Sequence, residues 1–145
     1  AESDVVVIAL TEMPYAEGVG DRQASDLTLD KVFFDPPFSY INAINPGDQL
    51  SLMKQYADAE IPVVMVLVTG RPLVVNDEID QAAAVVAAWL PGSEGAGVAE
   101  VLFGDYNFTG KLPQSWPAST DDIPINEGDG KTPKYALGFG LIMSL

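Results

Sequence analysis

The 145-residue sequence contains no cysteine and no histidine, and only 7 basic residues against 21 acidic ones. Without cysteine there is no disulfide framework and no thiol nucleophile. Without histidine the usual imidazole base and the commonest zinc ligand are both gone. Acid/base chemistry then has to rest on carboxylates, tyrosine or lysine, and neither a metal nor a cofactor is expected. A net charge of −14 repels phosphate backbones and anionic lipid heads, which argues against nucleic acid or a membrane surface as partner. Long apolar runs are missing too. The longest, Ile61 to Val68, is too short to span a bilayer.

What remains is a globular composition, 48% hydrophobic, with enough chain for one domain that buries a core. The acidic surface fits a saline or secreted setting. No leader is legible ahead of Ala1, so a mature, processed or excised piece is the expectation.

Two runs read as buried strands. Asp4 to Leu10, DVVVIAL, and Ile61 to Val68, IPVVMVLV, are apolar throughout and rich in β-branched residues, the pattern of strands covered on both faces. They are expected side by side and parallel near the centre of a sheet. Pro46-Gly47-Asp48 opens a helix with Leu50, Met53 and Ala57 on one face. Asp77 to Leu90 reads as a second, alanine-rich helix that Pro91-Gly92 ends, and Gly97 to Gly104 as a third of about two turns. Leu73 to Val75, Lys111 to Pro117 and Tyr135 to Leu141 read as short extended pieces. The alternation of strand and helix predicts an α/β fold, a partial doubly wound sandwich with a mostly parallel sheet and helices on both faces. So few strands make a thin sheet, so residues 1–145 read as a single domain lacking its first βα units.

The candidate chemistry sits on loops that leave strand ends, where open α/β sheets place ligands. The first strand runs into TEMPYAEGVGD, Thr11 to Asp21, where Glu17 is flanked by glycine. Such a carboxyl could donate a proton to a substrate held against a neighbouring domain, or could be an ordinary solvated glutamate. Asp21 fits an Asx-turn cap closing the same loop. Arg71, in TGRP after the second strand, offers a fork that pairs with a carboxylate, and a structural ion pair beneath the loop is preferred over a substrate contact. Glu94 is its expected partner. Trp89 and Trp116 could stack on sugars, but core or interdomain burial is preferred. Other motifs fail. Gly104 to Lys111 has the wrong spacing for a phosphate loop and lacks the hydroxyl after the lysine. NEGDGK lacks the alternating oxygen ligands of an EF-hand.

The stretch WLPGSEGAGVAEVLFGDYNFTGKLPQSWP, Trp89 to Pro117, holds eight glycines and prolines in 29 positions, with aromatics between them. With PVVMVLVTGRPLVV, the loop at Thr11 to Asp21 and the terminal LGFGL, it resembles the C-terminal domain of the family 3 glycoside hydrolases, the β-glucosidase and β-glucan exohydrolase group. Glu12, Pro14, Tyr15, Glu17, Gly20 and Asp21 are spaced as in the acid/base loop of the exohydrolase branch. The resemblance implies Glu17 as general acid/base of a retaining enzyme acting on terminal β-D-glucosyl residues, with Glu12 and Tyr15 as sugar contacts. It leaves Asp21, Arg71, Trp89, Glu94 and Trp116 as structural support. The implied nucleophilic aspartate belongs to a barrel domain that this sequence does not contain. The implied partners are therefore a β-glucoside or β-glucan, that barrel and the preceding βα units; the strand edge that the missing units leave unpaired makes a second copy of the chain another expected partner. A secreted or periplasmic location is expected. Thr11 and Met13 stand where the family usually has glycine and histidine, and Lys31 to Asn45 looks like an insertion. A non-catalytic binding or interaction module on the same scaffold is the alternative.

Overall fold

The computed structural model describes residues 3–12, 15, 17–30 and 46–141. The Lys31 to Asn45 stretch lies outside them, as do Met13, Pro14 and Ala16. Three strands, β1 (Val6–Thr11), β2 (Val63–Val68) and β3 (Ala84–Ala87), form a parallel sheet in the order β1-β2-β3. Among the described residues three α-helices accompany it: α1 (Pro46–Asp58), α2 (Asn76–Gln81) and α3 (Gly95–Leu102). The α/β class and the parallel β1–β2 pair are as the sequence predicts.

Register fixes which residues share a face. Val6 is paired with Val63, Ile8 with Met65 and Leu10 with Leu67, while Val85 faces Met65 from the other side. Side chains alternate along a strand, so Ile8, Leu10, Val63, Met65 and Leu67 point one way. That face carries the core. Met53 from α1, Leu29, Leu73, Val75 and Trp116 close over it, and most are under 5% exposed. Each fully buried aliphatic side chain contributes about 1.5–3 kcal/mol, so the layer over this face is the main source of stability.

The α1 helix forms because its stripe of Leu50, Met53 and Tyr56 meets this face. Proline is well placed at a first helical turn, and Asp48 there complements the dipole. The chain leaves α1 through Glu60, whose φ of 57° is left-handed, and the Ile61 N–H returns to the Tyr56 carbonyl at 3.1 Å. Gln49 Oε1 accepts from the Thr11 N–H at 3.0 Å, tying the start of α1 to the end of β1.

Three expectations need correction. The alanine-rich run is not one helix: α2 stops at Gln81 and residues 84–87 are the third strand. Alanine favours helix, but Val85 and Val86 are β-branched, and the open backbone of β2 satisfies the segment. Ala83 N–H donates to Val63 and Ala88 N–H to Leu67, at 2.8 and 2.9 Å. Secondly, β2 alone is central, whereas β1 is at an edge of the described sheet. Thirdly, β1 is not covered on both faces. Val5 and Val7 are 49% and 51% exposed, and Ala9 is exposed beside them. The face bearing Val7, Ala9, Val64, Val66, Val68 and Val86 is apolar and only partly covered.

Beyond β3 the chain returns over the core, and among the described residues it adds no strand to the sheet. Trp116 and Tyr135 form an isolated antiparallel bridge. Leu112 exchanges hydrogen bonds with the Phe139 carbonyl and the Gly138 N–H, and the Tyr135 and Phe139 rings stack at 4.5 Å. Trp116 is 4% exposed, and its indole N–H donates to the Leu73 carbonyl at 2.7 Å. Trp89 is partly buried against the core, its ring 6.0 Å from that of Trp116. Trp116 is thus part of the core, and Trp89 packs against it while staying partly exposed. NEGDGK is a self-closed turn, with Asp129 accepting from the Asn126 and Lys131 N–H groups and its carboxyl held below the ordinary value by those bonds.

Two outcomes test this core. Trp116→Ala should cost about 3–5 kcal/mol, as a large truncation that also orphans the Leu73 carbonyl, measured by denaturant titration. A loss under about 1 kcal/mol would mark the indole as a surface group. Glu78, in α2, has its carboxyl raised, chiefly by burial and further by the charges of Asp77 and Asp30 against a backbone hydrogen bond that lowers it. The folded chain then holds this proton more tightly than the unfolded chain. Its contribution to stability is greatest below the unfolded glutamate pKa and is lost as pH rises through the folded value. Glu78→Gln should accordingly raise the melting temperature at neutral pH, and the gain should vanish below about pH 4.

Candidate functional site at the carboxyl ends of the strands

The β1–β2 register decides which side chains meet at the carboxyl end of the sheet. Thr11 pairs with Val68, and the Glu12 N–H continues the ladder to the Val68 carbonyl at 3.1 Å. The next residues, Glu12 and Thr69, are thereby set side by side. Glu12 is 5% exposed and Thr69 fully buried. The Thr69 hydroxyl donates to Glu12 Oε2, and the Tyr15 hydroxyl donates to the same oxygen at 3.3 Å.

A buried carboxylate also needs a counter-charge, and Arg71 supplies it. Its Nε lies 3.3 Å from Glu12 Oε1. The same Nε–H donates to the Tyr15 hydroxyl at 3.0 Å, and Nη1 donates to the Gly20 carbonyl at 2.7 Å. The guanidinium carbon lies 4.0 Å from the centre of the Tyr15 ring, a cation–π contact. The Arg71 N–H donates to Thr69 Oγ1 at 3.2 Å, which fixes the backbone from which the side chain springs.

Glycine makes room for the tyrosine. A methyl group at Gly20 would sit 2.6 Å from Tyr15 Cδ2, and one at Gly70 would overlap the Tyr15 hydroxyl. The ring is held between these two backbones. From there residues Glu17–Gly20 make a 3-10 turn, and the Asp21 N–H returns to the Gly18 carbonyl at 3.2 Å. Glu17 is the first residue of that turn. Arg22 follows, its guanidinium pKa lowered first by burial and then by the charge of Arg71, with Asp26 and Glu12 opposing.

The structure thus brings Glu12, Tyr15 and Arg71 together, with Glu17 and Asp21 on the loop they hold. Trp116 belongs to the core, and Trp89 packs against it, partly buried. The expected Arg71–Glu94 pair is corrected: Arg71 takes Glu12, while Glu94 is exposed and accepts from the Ser93 hydroxyl at 2.9 Å. The reason is the register, which places Glu12 next to the TGRP turn. Thr69 escaped the sequence reading, although the two apolar runs end at equivalent points and could have revealed the Glu12–Thr69 match. At the opposite end of the sheet, a hollow of about 260 Å³ is lined by Ala57, Glu60, Ile61, Pro62 and Gln81 among others. It has no comparable convergence of polar groups.

Arg71→Met should cost about 3–5 kcal/mol, because it strands a buried carboxylate. Adding Glu12→Gln should recover part of that loss, and denaturant titration of the single and double variants measures the coupling. Strict additivity would show that the pair does not interact.

Residues 1–143 match the model of the glycosyl hydrolase family 3 C-terminal domain. The lysosomal beta glucosidase of Dictyostelium discoideum is 37% identical over 147 residues, covering 96% of this chain and 16% of that protein. The periplasmic beta-glucosidase of Salmonella typhimurium is 43% identical over 88 residues, 60% of this chain and 12% of that one. Among solved structures, the exo-1,3/1,4-beta-glucanase of a Pseudoalteromonas species superposes with a TM-score of 0.75 at 41% identity, over 96% of this chain and 16% of that one. The beta-glucosidase of Listeria innocua in complex with glucose gives a TM-score of 0.65 at 26% identity, over 96% of this chain and 20% of that one. The chain thus spans less than a quarter of each of these proteins. With nearly its whole length matched, it belongs to the glycosyl hydrolase family 3 C-terminal domain family.

Proposed function

We propose that this chain is the acid/base-bearing part of a retaining β-glucosidase or β-glucan exohydrolase, with Glu17 as the proton donor. The observation that carries the reading is the anchored loop from Glu12 to Gly20 at the carboxyl end of β1, with Glu17 opening its 3-10 turn. Relatives named as β-glucosidases and an exo-β-glucanase support the substrate class. The Listeria innocua enzyme has been solved with glucose, and a mutant of it with laminaribiose.

Retention needs two carboxyl groups about 5–5.5 Å apart. In this reading Glu17 protonates the glycosidic oxygen as a carboxylate on another domain attacks the anomeric carbon. The leaving alcohol departs and a glycosyl-enzyme forms. Glu17, now ionised, takes a proton from water, which attacks the same carbon and frees the nucleophile. The 145 residues by themselves are therefore expected to be hydrolytically silent, the second carboxylate lying on a barrel elsewhere in the protein.

The open apolar face and the edge of β1 are read as the seat of the preceding βα units of the same protein. A secreted or periplasmic location accords with the acidic surface and with relatives named as periplasmic and lysosomal. Among the described residues no helix is long and apolar enough to cross a membrane.

Two experiments test these proposals. In the full-length gene product, Glu17→Gln should lower kcat on an unactivated β-glucoside on the order of 10²–10⁴-fold. A dinitrophenyl glucoside, whose leaving group needs little protonation, should lose far less in the glycosylation step. Azide should then speed turnover, since it needs no general base. Wild-type rates on both substrates would place the acid elsewhere and leave a non-catalytic module as the reading. The 145-residue chain alone, with an uncovered face and an unpaired strand edge, should self-associate with rising concentration in sedimentation, and Val7→Lys should weaken the association. A monomer at high concentration would contradict that.

A further inference from the structure

The contacts of Arg71 go beyond neutralising Glu12. They reach both ends of one loop. Glu12 begins it, hydrogen-bonded through its N–H to β2 and through carboxylate Oε2 to Thr69 and Tyr15, with Oε1 in an ion pair with Arg71. Gly20 ends it, its carbonyl held by Arg71 Nη1 at 2.7 Å. Tyr15, between them, lies under the guanidinium and against both Gly20 and Gly70. We infer that Arg71 is a positioning residue for the acid: with Glu12, Thr69 and Tyr15 it fixes the two ends of the Glu12–Gly20 loop to the end of β2 and so aims Glu17. The inference rests on the reading of Glu17 given above. It also assigns Glu12 and Tyr15 to loop support, since Glu12 Oε2 and the Tyr15 hydroxyl are hydrogen-bonded within the site.

Only arginine does this with one side chain. The planar fork donates from Nη1 to a carbonyl and from Nε to a hydroxyl while its face covers an aromatic ring. A lysine at this position brings the charge but not the fork, so Glu12 stays neutralised while Gly20 and Tyr15 lose their shared anchor. The predicted signature is therefore a loss in the chemical step with little change in binding. A displacement of about 1 Å in a reacting group costs on the order of 10²-fold.

The test is a double-mutant cycle in the full-length gene product, with Glu17→Gln and Arg71→Lys alone and combined. Both substrates of differing leaving-group quality and the full pH profile are measured. Arg71→Lys should lower kcat on the unactivated glucoside by about 10–100-fold with KM nearly unchanged. It should spare the dinitrophenyl glucoside, move the basic limb of the pH profile, and cost nothing further in the Glu17→Gln background. Equal losses on both substrates, or losses that add to those of Glu17→Gln, would overturn the positioning role while leaving Glu17 as the acid. A Glu17→Gln enzyme with wild-type rates would overturn the acid reading itself. If Arg71→Lys melts below the assay temperature, Tyr15→Phe and Gly20→Ala are read in the same cycle. The first removes the bridging hydroxyl, the second displaces the ring, and neither touches the Arg71–Glu12 charges. Selective loss on the unactivated substrate supports the inference, and wild-type behaviour of both variants overturns it.

Discussion

The rest of this end of the molecule depends on one constraint: Glu12 is a carboxylate placed where water scarcely reaches. Backbone pairing puts it there, since β1 and β2 run in register to Thr11 and Val68 and the next residue on β1 lies over the end of the sheet. An isolated buried charge is costly enough that the surroundings must answer it. Thr69, Tyr15 and Arg71 do so together, and each is drawn from a different point of the chain. Once Arg71 is committed to Glu12, its remaining donors have few directions left. One of them catches the Gly20 carbonyl and ties the far end of the loop to the end of β2. The fold of the site thus follows from satisfying a single charge.

How much of this the sequence disclosed depends on whether local pattern or tertiary pairing decided the outcome. IPVVMVLV is apolar on both sides of the pleat, and β2 is the central strand, so pattern and place agree. DVVVIAL has the same pattern yet lies at an edge with Val7 exposed. A pattern records what a segment is suited to, not which neighbours the chain supplies. The alanine-rich run failed for another reason. Its local preference is helical, but parallel pairing with β2 outweighed a few tenths of a kcal/mol per residue of helix propensity. Among the site residues, Arg71 as an ion pair beneath the loop was legible from its position after a strand. Its partner was not, because Glu12 and Glu94 are equally available by sequence and only the register separates them.

A retaining glycosidase whose two carboxylates lie on different domains faces a problem that one built on a single barrel does not. The separation of the pair has to be held within a fraction of an ångström while each member belongs to a separately packed body. Contacts between the bodies can set their mutual orientation, but they cannot stiffen a loop that is slack within its own domain. That stiffness has to be local. On the proposed reading of this chain, the loop satisfies the requirement with its own neighbours: a backbone hydrogen bond at Glu12, a tyrosine held between two glycine backbones, and an arginine fork across its far end. These contacts are made by groups of this chain itself, so they need no partner to form. Docking then has only to bring a preset carboxyl to its counterpart, and the entropy of ordering the loop is lost at folding rather than at each encounter with substrate.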